Sequence, residues 1–139
     1  MDVLTFQVGG KWYGLDAGIV HRVVEDYAVY PVPMMPSFYR GLIFYRGDLY
    51  DVIDLGVLLG RNPATGSRLM LFRWRHHSMA FLADVIGSMR MLEDRAMDRL
   101  VLETGDIVHI LPMERWIERI FNSGHGSGEI PADLPSGIG

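Results

Sequence analysis

Hydrophobic residues near the start of the chain repeat with a period of two. Leu4, Phe6 and Val8 alternate with polar residues, and the doublet Gly9-Gly10 follows at once. A period of two places apolar side chains on one face of a β-strand, whereas a helix would require a period near 3.6. A Gly-Gly doublet suits a two-residue hairpin turn. This segment is therefore predicted to form a β-hairpin.

The same pattern continues through the first sixty residues. A β-branched run at 19–24 predicts a strand, and three prolines at 31–36 predict an extended connector. A second hairpin is predicted over 42–55, with its turn at Arg46-Gly47-Asp48, and a short apolar turn follows it. Repeated short strands separated by Gly and Pro are typical of all-β barrels or sandwiches.

The strand pattern restarts near residue 67, after a turn-rich connector at 62–67. Further strands are predicted around 69–72, 79–83, 85–86, 101–102 and 107–111. The restart predicts two small five-stranded barrels, barrel one at about 1–60 and barrel two at about 67–111.

One helix is predicted, over 113–121, because its apolar residues recur at the spacing of one helical face. These residues are Met113, Trp116, Ile117, Ile120 and Phe121. From residue 122 to 139 the sequence is rich in Gly, Ser and Pro. Such a segment buries too little apolar surface to offset its ordering entropy, so we predict a flexible tail.

Composition excludes several functional classes. The net charge is −4, and basic residues are interleaved with acids, so no patch suited to a nucleic-acid backbone is predicted. Charged residues interrupt every apolar run before the length that a membrane span needs. The chain contains no cysteine, and its first residues do not resemble a secretory leader. We therefore expect a cytoplasmic protein.

Several acidic and histidine residues are candidate metal or catalytic groups. Asp48 and Asp54 fall on one face of a predicted strand and Asp51 on the other, so solvated carboxylates explain them better than a metal cage. The pair His76-His77 fits a polar hairpin loop better than a metal site. We predict no catalytic residues and no cofactor, since no nucleophile, base and orienting group occur at workable spacing.

A small metal-dependent hydrolase is the enzymatic alternative. Its candidate residues would be His21, Asp84, Asp106 and His109, which sequence alone cannot bring together or separate. A stoichiometric transition metal in the purified protein would support that alternative.

Four motifs in order resemble the CheW-like domain of bacterial chemotaxis coupling proteins, over about Leu4 to Ile120. They are Val32-Pro33-x-x-Pro36-x-Phe38-x-x-Gly41, Gly41-x-Ile43-x-x-Arg46-Gly47, Val52-Ile53-Asp54-Leu55 and Ala80-Phe81-Leu82-Ala83-Asp84-x-Ile86. The resemblance implies a pair of five-stranded SH3-like barrels and a protein without catalytic activity.

The resemblance also implies partners. A CheA-type histidine kinase would dock on one barrel, and the cytoplasmic tip of a chemoreceptor would bind in the groove between barrels, which would recruit the protein to receptor arrays at the inner membrane. The residues assigned to partner binding are Val20, Arg22, Phe44, Tyr45, Arg46, Gly47 and Ala80. Those assigned to the structural motif are Pro33, Pro36, Gly41, Asp54 and Asp84. A pilus-control or other non-flagellar pathway fits the same motifs.

Arg22 is the main departure from the family pattern. An ungapped alignment of 19–24 places it where the family usually has a Glu that is thought to pair with the arginine of the Arg-Gly turn, here Arg46. Two guanidinium groups would repel, so each needs a carboxylate or water, and Glu25 and Asp26 are the nearest acids in sequence. In addition, Phe44-Tyr45 stands where the family usually has Asn-Leu.

Overall fold

The computed structural model describes residues 1–94 and 96–123, which form ten strands and two helices. The strands are β1 (Asp2–Val8), β2 (Lys11–Asp16), β3 (Val20–Val24), β4 (Tyr39–Tyr45), β5 (Asp48–Asp54), β6 (Arg68–Trp74), β7 (His77–Ala83), β8 (Val85–Met91), β9 (Arg99–Val101) and β10 (Ile107–Ile110). The helices are α1 (Leu55–Leu58) and α2 (Met113–Ser123). No helix of these residues is long and apolar enough to cross a membrane.

The strands form two five-stranded sheets. The first has the order β8-β1-β2-β10-β9 and the second has the order β3-β6-β7-β5-β4. The predicted all-β fold of two SH3-like barrels with a C-terminal helix is confirmed. The predicted boundaries of the barrels, about 1–60 and 67–111, are wrong because each sheet takes strands from both halves of the chain.

Two parallel pairings cause this exchange of strands. β10 lies parallel to β2, and β5 lies parallel to β7. Both pairings join strands that are distant in sequence, whereas a hydrophobic pattern reports only the local strand. Antiparallel hairpins, which are local, agree with the predictions at β1–β2 and β4–β5.

The outer strands of each sheet are joined by further contacts. After β3, Tyr30 forms an isolated antiparallel bridge with Leu42 of β4. In the first sheet, the Arg90 guanidinium on β8 donates to both carboxylate oxygens of Glu103, at 2.7 and 3.1 Å. Glu103 follows the opposite outer strand, β9. These contacts close each sheet toward a barrel.

The largest core cluster lies between the two sheets and α2. Phe6 and Leu15 of the first sheet lie in one cluster with Phe72 and Phe81 of the second. The ring centres of Phe72 and Phe81 are 4.5 Å apart. The predicted helical face is confirmed in Met113, Ile117 and Ile120, which are buried, and in Trp116 and Phe121, which are partly buried. The helix extends to Ser123, two residues beyond the predicted end. Asn122 and Ser123, predicted to be in the tail, are therefore helical, and residues 124–139 lie outside the described part of the chain.

Candidate partner-binding site

The β4–β5 hairpin presents its tip to solvent. Tyr45 pairs with Asp48, so Arg46 and Gly47 form a two-residue turn in which both φ angles are positive, 51° and 87°. This backbone is that of a type I′ turn, which matches the twist of antiparallel strands. The Arg46 guanidinium carbon lies 5.4 Å from the centre of the Tyr45 ring. Local turn geometry thus fixes the position from which Arg46 reaches into solvent.

The hairpin has an apolar outer face one residue pair before the turn. Phe44 and Leu49 are cross-strand partners and are 64% and 49% exposed. Aromatic side chains and arginine are enriched in the residues that dominate interface energetics. The hairpin therefore combines both kinds of group at one exposed end.

On its other face the hairpin borders a hollow of about 380 Å³, which we call the arginine hollow. Residues from β3, the hairpin and β6 line it: His21, Arg22, Tyr45, Arg46, Asp48, Tyr50 and Arg73. Since β3 and β4 are the outer strands of the second sheet, the hollow lies where the two edges of that sheet approach each other. This arrangement brings Arg22 and Arg46 to one site.

Positive charge predominates in the arginine hollow. Asp48 forms an ion pair with Arg73, and it is the only carboxylate among the lining residues, against three guanidiniums. His21 Nε2 lies 2.8 Å from the Tyr50 hydroxyl oxygen. Burial, and then the charges of Arg73 and Arg22, lower the pKa of His21. The hollow therefore favours the neutral imidazole and an anionic ligand.

The carboxylates nearest to Arg22 in sequence do not line this hollow. Glu25 pairs instead with Arg68 of β6, and Asp26 is exposed. Neither of the two acids nearest to Arg22 in sequence therefore supplies a carboxylate to the hollow. A strand turns successive side chains to opposite faces, so closeness in sequence is a poor guide to pairing there.

Three residues assigned to partner binding are not fully exposed, namely Val20, Tyr45 and Ala80. Ala80 is fully buried in the cluster inside the second sheet, so it cannot contact a partner, and that assignment is wrong. Val20 is half-buried and packs against the core between the sheets. The sequence pattern around Ala80 does not show this burial, because it depends on the central position of β7 between β6 and β5.

The connector before β4 contains two of the residues assigned to the structural motif, Pro33 and Pro36, and β4 itself contains a third, Gly41. Pro33 is exposed and Pro36 is buried. Gly41 has a φ of 135°, and a Cβ at this position would overlap the carbonyl oxygen of Tyr30. A glycine is required here because Tyr30 bonds both ways with Leu42, at 2.8 and 2.9 Å.

Asp54 and Asp84 hold loops at the ends of strands. The prediction that Asp54 is a solvated carboxylate is wrong, since its side chain is fully buried and accepts from Ala64 N at 3.0 Å. Asp84 accepts from Gly9 N at 2.9 Å and Thr65 N at 2.7 Å. Burial would raise the pKa of Asp84, but these donors and Gly66 outweigh it, so the pKa is lowered.

The residues of the hydrolase alternative are not brought together. His21 lies in the arginine hollow, Asp84 holds the Gly9 and Thr65 loops, and His109 lies on β10 with its ring 6.2 Å from that of Tyr13. Across residues 1–94 and 96–123, no three His, Cys, Asp or Glu side chains are grouped so that they could hold a metal ion. Asp51 of β5 accepts a hydrogen bond from the Tyr39 hydroxyl at 2.5 Å. Burial raises the pKa of Tyr39, and the hydrogen bond to Asp51 and its charge raise that pKa further.

Sequence reasoning missed four members of the hollow as parts of one site, namely His21, Asp48, Tyr50 and Arg73. Arg73 belongs to β6, and only the antiparallel pairing of β6 with β3 places it beside Arg22. The one available signal was the pair His76-His77, predicted to lie in a polar hairpin loop. The turn that ends β6 is Arg75-His76, and His77 already begins β7 opposite Trp74.

Comparison with known proteins gives consistent matches. The family model of the CheW-like domain matches residues 2–114. A chemotaxis protein CheW of Thermotoga maritima is 27% identical over 97 residues, which cover 68% of this chain and 64% of that protein. A chemotaxis protein CheW of Treponema pallidum is 32% identical over 54 residues, which cover 39% of this chain and 32% of that protein. The chain thus spans less than two thirds of the length of these relatives.

The fold is similar to a solved one. The crystal structure of the scaffolding protein TtCheW from Thermoanaerobacter tengcongensis superimposes with a TM-score of 0.76 at 19% identity, covering 96% of this chain and 97% of that one. At this identity the likeness concerns the fold.

Proposed function

We propose, from the premise that the chain belongs to the CheW-like domain family, that it is a non-catalytic signalling adaptor. It would couple chemoreceptors to a CheA-type histidine kinase in chemotaxis or a related two-component pathway. The observation that carries this proposal is the family match over 2–114 on a two-barrel fold with an exposed, arginine-bearing hairpin.

The kinase would dock at the β4–β5 hairpin, which belongs to the second sheet. Phe44 and Leu49 supply exposed apolar area, and Arg46 supplies a directed cation on a turn whose backbone is already ordered. An ordered turn loses little conformational freedom on binding, which favours affinity. Tyr45 is half-buried and supports Arg46 from below rather than offering much area of its own.

The receptor's cytoplasmic tip would bind along the groove between the barrels. The core shared by both sheets and α2 supports this proposal, because it gives the two sheets one packed interface rather than a hinge. With both partners bound, a conformational bias in the receptor would reach the kinase through a rigid body. The protein would then act in the cytoplasm, at receptor arrays.

Replacing Arg46 tests the kinase-docking role. Because Arg46 has a positive φ, alanine would add backbone strain, whereas asparagine tolerates this region and removes the guanidinium. We expect Arg46→Asn to weaken kinase binding about fivefold or more, with little change in melting temperature. Isothermal titration calorimetry and thermal melting on the same samples measure both.

The chain offers a matched control at the β6–β7 turn. Arg75 has a φ of 57°, and its guanidinium carbon lies 5.9 Å from the ring centre of Trp74, so it repeats the setting of Arg46 on another hairpin. Arg75→Asn should leave kinase binding unchanged. Intact binding by Arg46→Asn, or a loss that merely follows unfolding, would show that the hairpin is scaffold and that the kinase docks elsewhere.

A further inference from the structure

We infer that the arginine hollow is a binding site for a carboxylate side chain of a protein partner, rather than a passive part of the barrel end. The inference rests on the proposed adaptor function for the presence of a partner, and on the charges of the hollow for its chemistry. It names an acidic residue of the partner as the group that completes a cationic site of this chain.

The charges that line the hollow do not balance. Arg22, Arg46 and Arg73 line one hollow, and the pairing of Asp48 with Arg73 leaves two guanidiniums without a carboxylate among the lining residues. The whole chain carries a net charge of −4, so this concentration of positive charge runs against its overall balance. An anion between Arg22 and Arg46 would turn a repulsion into two attractions.

The guanidinium groups of the hollow and the apolar side chains on its bordering strands favour a protein carboxylate over a free inorganic anion. Guanidinium groups present planar forks of N–H donors that match a carboxylate with two parallel hydrogen bonds. Exposed apolar side chains also lie on the strands that border the hollow, namely Phe44 and Leu49 on the outer face of the same hairpin and Val23 on β3. A protein surface would cover such side chains on binding, whereas a free inorganic ion would leave them in water.

The pKa of His21 would change when a carboxylate binds in the hollow. Burial and the charges of Arg73 and Arg22 lower the pKa of His21, and the charge of Asp48 opposes them. The Tyr50 hydroxyl oxygen contacts the same imidazole. A bound carboxylate adds a negative charge to this set, so the pKa of His21 should rise on binding.

The experiment is a titration of the full chain with acetyl-Glu-Leu-Glu-amide at low ionic strength, with acetyl-Gln-Leu-Gln-amide and inorganic phosphate as parallel probes. NMR would follow the arginine Nε–H signals and the His21 ring. We expect a saturable shift with the Glu peptide, a rise in the His21 pKa, and an apparent Kd raised about fivefold or more in Arg22→Gln. Arg99→Gln, a change on the exposed β9 strand of the other sheet, should leave the Kd unchanged.

Equal shifts with the Gln peptide, or no saturable shift with the Glu peptide, would overturn the inference. Saturable binding of phosphate without binding of the Glu peptide would also overturn it, because the hollow would then be a small-anion site. An equal loss in Arg22→Gln and Arg99→Gln would show only nonspecific attraction and would have the same consequence. The kinase does not enter this titration, so the proposed function is judged separately by Arg46→Asn.

Discussion

Replacing Asp54 with alanine should destabilise the domain more than any surface substitution. The Asp54 carboxylate is fully buried where β5 ends, and it caps α1 by accepting from Val57 N at 3.3 Å. It also accepts from Ala64 N at 3.0 and 3.3 Å, and Arg40 Nε lies 3.5 Å away. One side chain thus ties the end of the hairpin strand to the connector before β6.

The cost can be worked out from these contacts. Alanine would leave the buried Ala64 N–H without an acceptor, which costs about 1–3 kcal/mol, and would remove a helix cap, which costs about 1 kcal/mol. Arg40 is 46% exposed, so its ion pair adds less than about 1 kcal/mol. The free energy of unfolding should therefore fall by about 3 kcal/mol, and the melting temperature by roughly 10 °C.

Urea unfolding followed by circular dichroism measures this change. Asp54→Asn keeps one oxygen acceptor and should lie between the wild type and Asp54→Ala. Asp98→Ala is the control, because the Asp98 side chain is 81% exposed and pairs only with its neighbour Arg99 among the described residues. A fall of less than about 1 kcal/mol in Asp54→Ala, or one no larger than that of Asp98→Ala, would refute the assigned role.

Substitutions at Asp84, Gly41 and Arg22 should each change the stability of the domain. The pKa of Asp84 is lowered in the folded protein, so its ionised form adds stability above the ordinary pKa of 3.8, and this stability is lost as the pH falls through the folded pKa. The loss of unfolding free energy in Asp84→Asn, measured by urea melts, should therefore shrink from pH 7 to pH 3, and a constant loss would contradict this. Gly41→Ala should cost at least about 2 kcal/mol in the same melts, because its Cβ would overlap the Tyr30 carbonyl, and near-wild-type stability would contradict that overlap. Arg22→Glu should raise the melting temperature by about 1–3 °C in low salt and by less in high salt, through attraction to Arg46; a fall would show that the alignment at 19–24 is wrong.

Local elements were predictable from the sequence because their causes are local. Gly9-Gly10 and Arg46-Gly47 have the positive φ angles that two-residue hairpin turns require. The glycines indicate this directly, whereas the residue type of Arg46 does not. The apolar face of α2 likewise follows from spacing along one segment. These features depend on neighbours within a few residues, which a sequence pattern records.

The sheet order and the composition of the hollow were not predictable in this way. The parallel pairing of β5 with β7 gives Ala80 two neighbouring strands, and so makes it a core residue. The pattern at 48–54 shows where Asp54 stands along a strand, but not that a connector ten residues later supplies its donors. In both cases the deciding contact comes from another part of the chain.

Arg22 has a small effect on the stability of the fold but a large expected effect on which partner can bind. At an exposed site, water and salt screen the repulsion between Arg22 and Arg46, so the domain tolerates the pair at small cost. An interface that excludes water removes that screening, and an unpaired charge enclosed there becomes strongly unfavourable. The same arginine would therefore select a partner with an acidic residue and reject one with a basic residue. We accordingly expect Arg22→Glu to weaken binding to the proposed kinase partner while it stabilises the free domain, and we expect an acid-to-lysine change in that partner to restore binding.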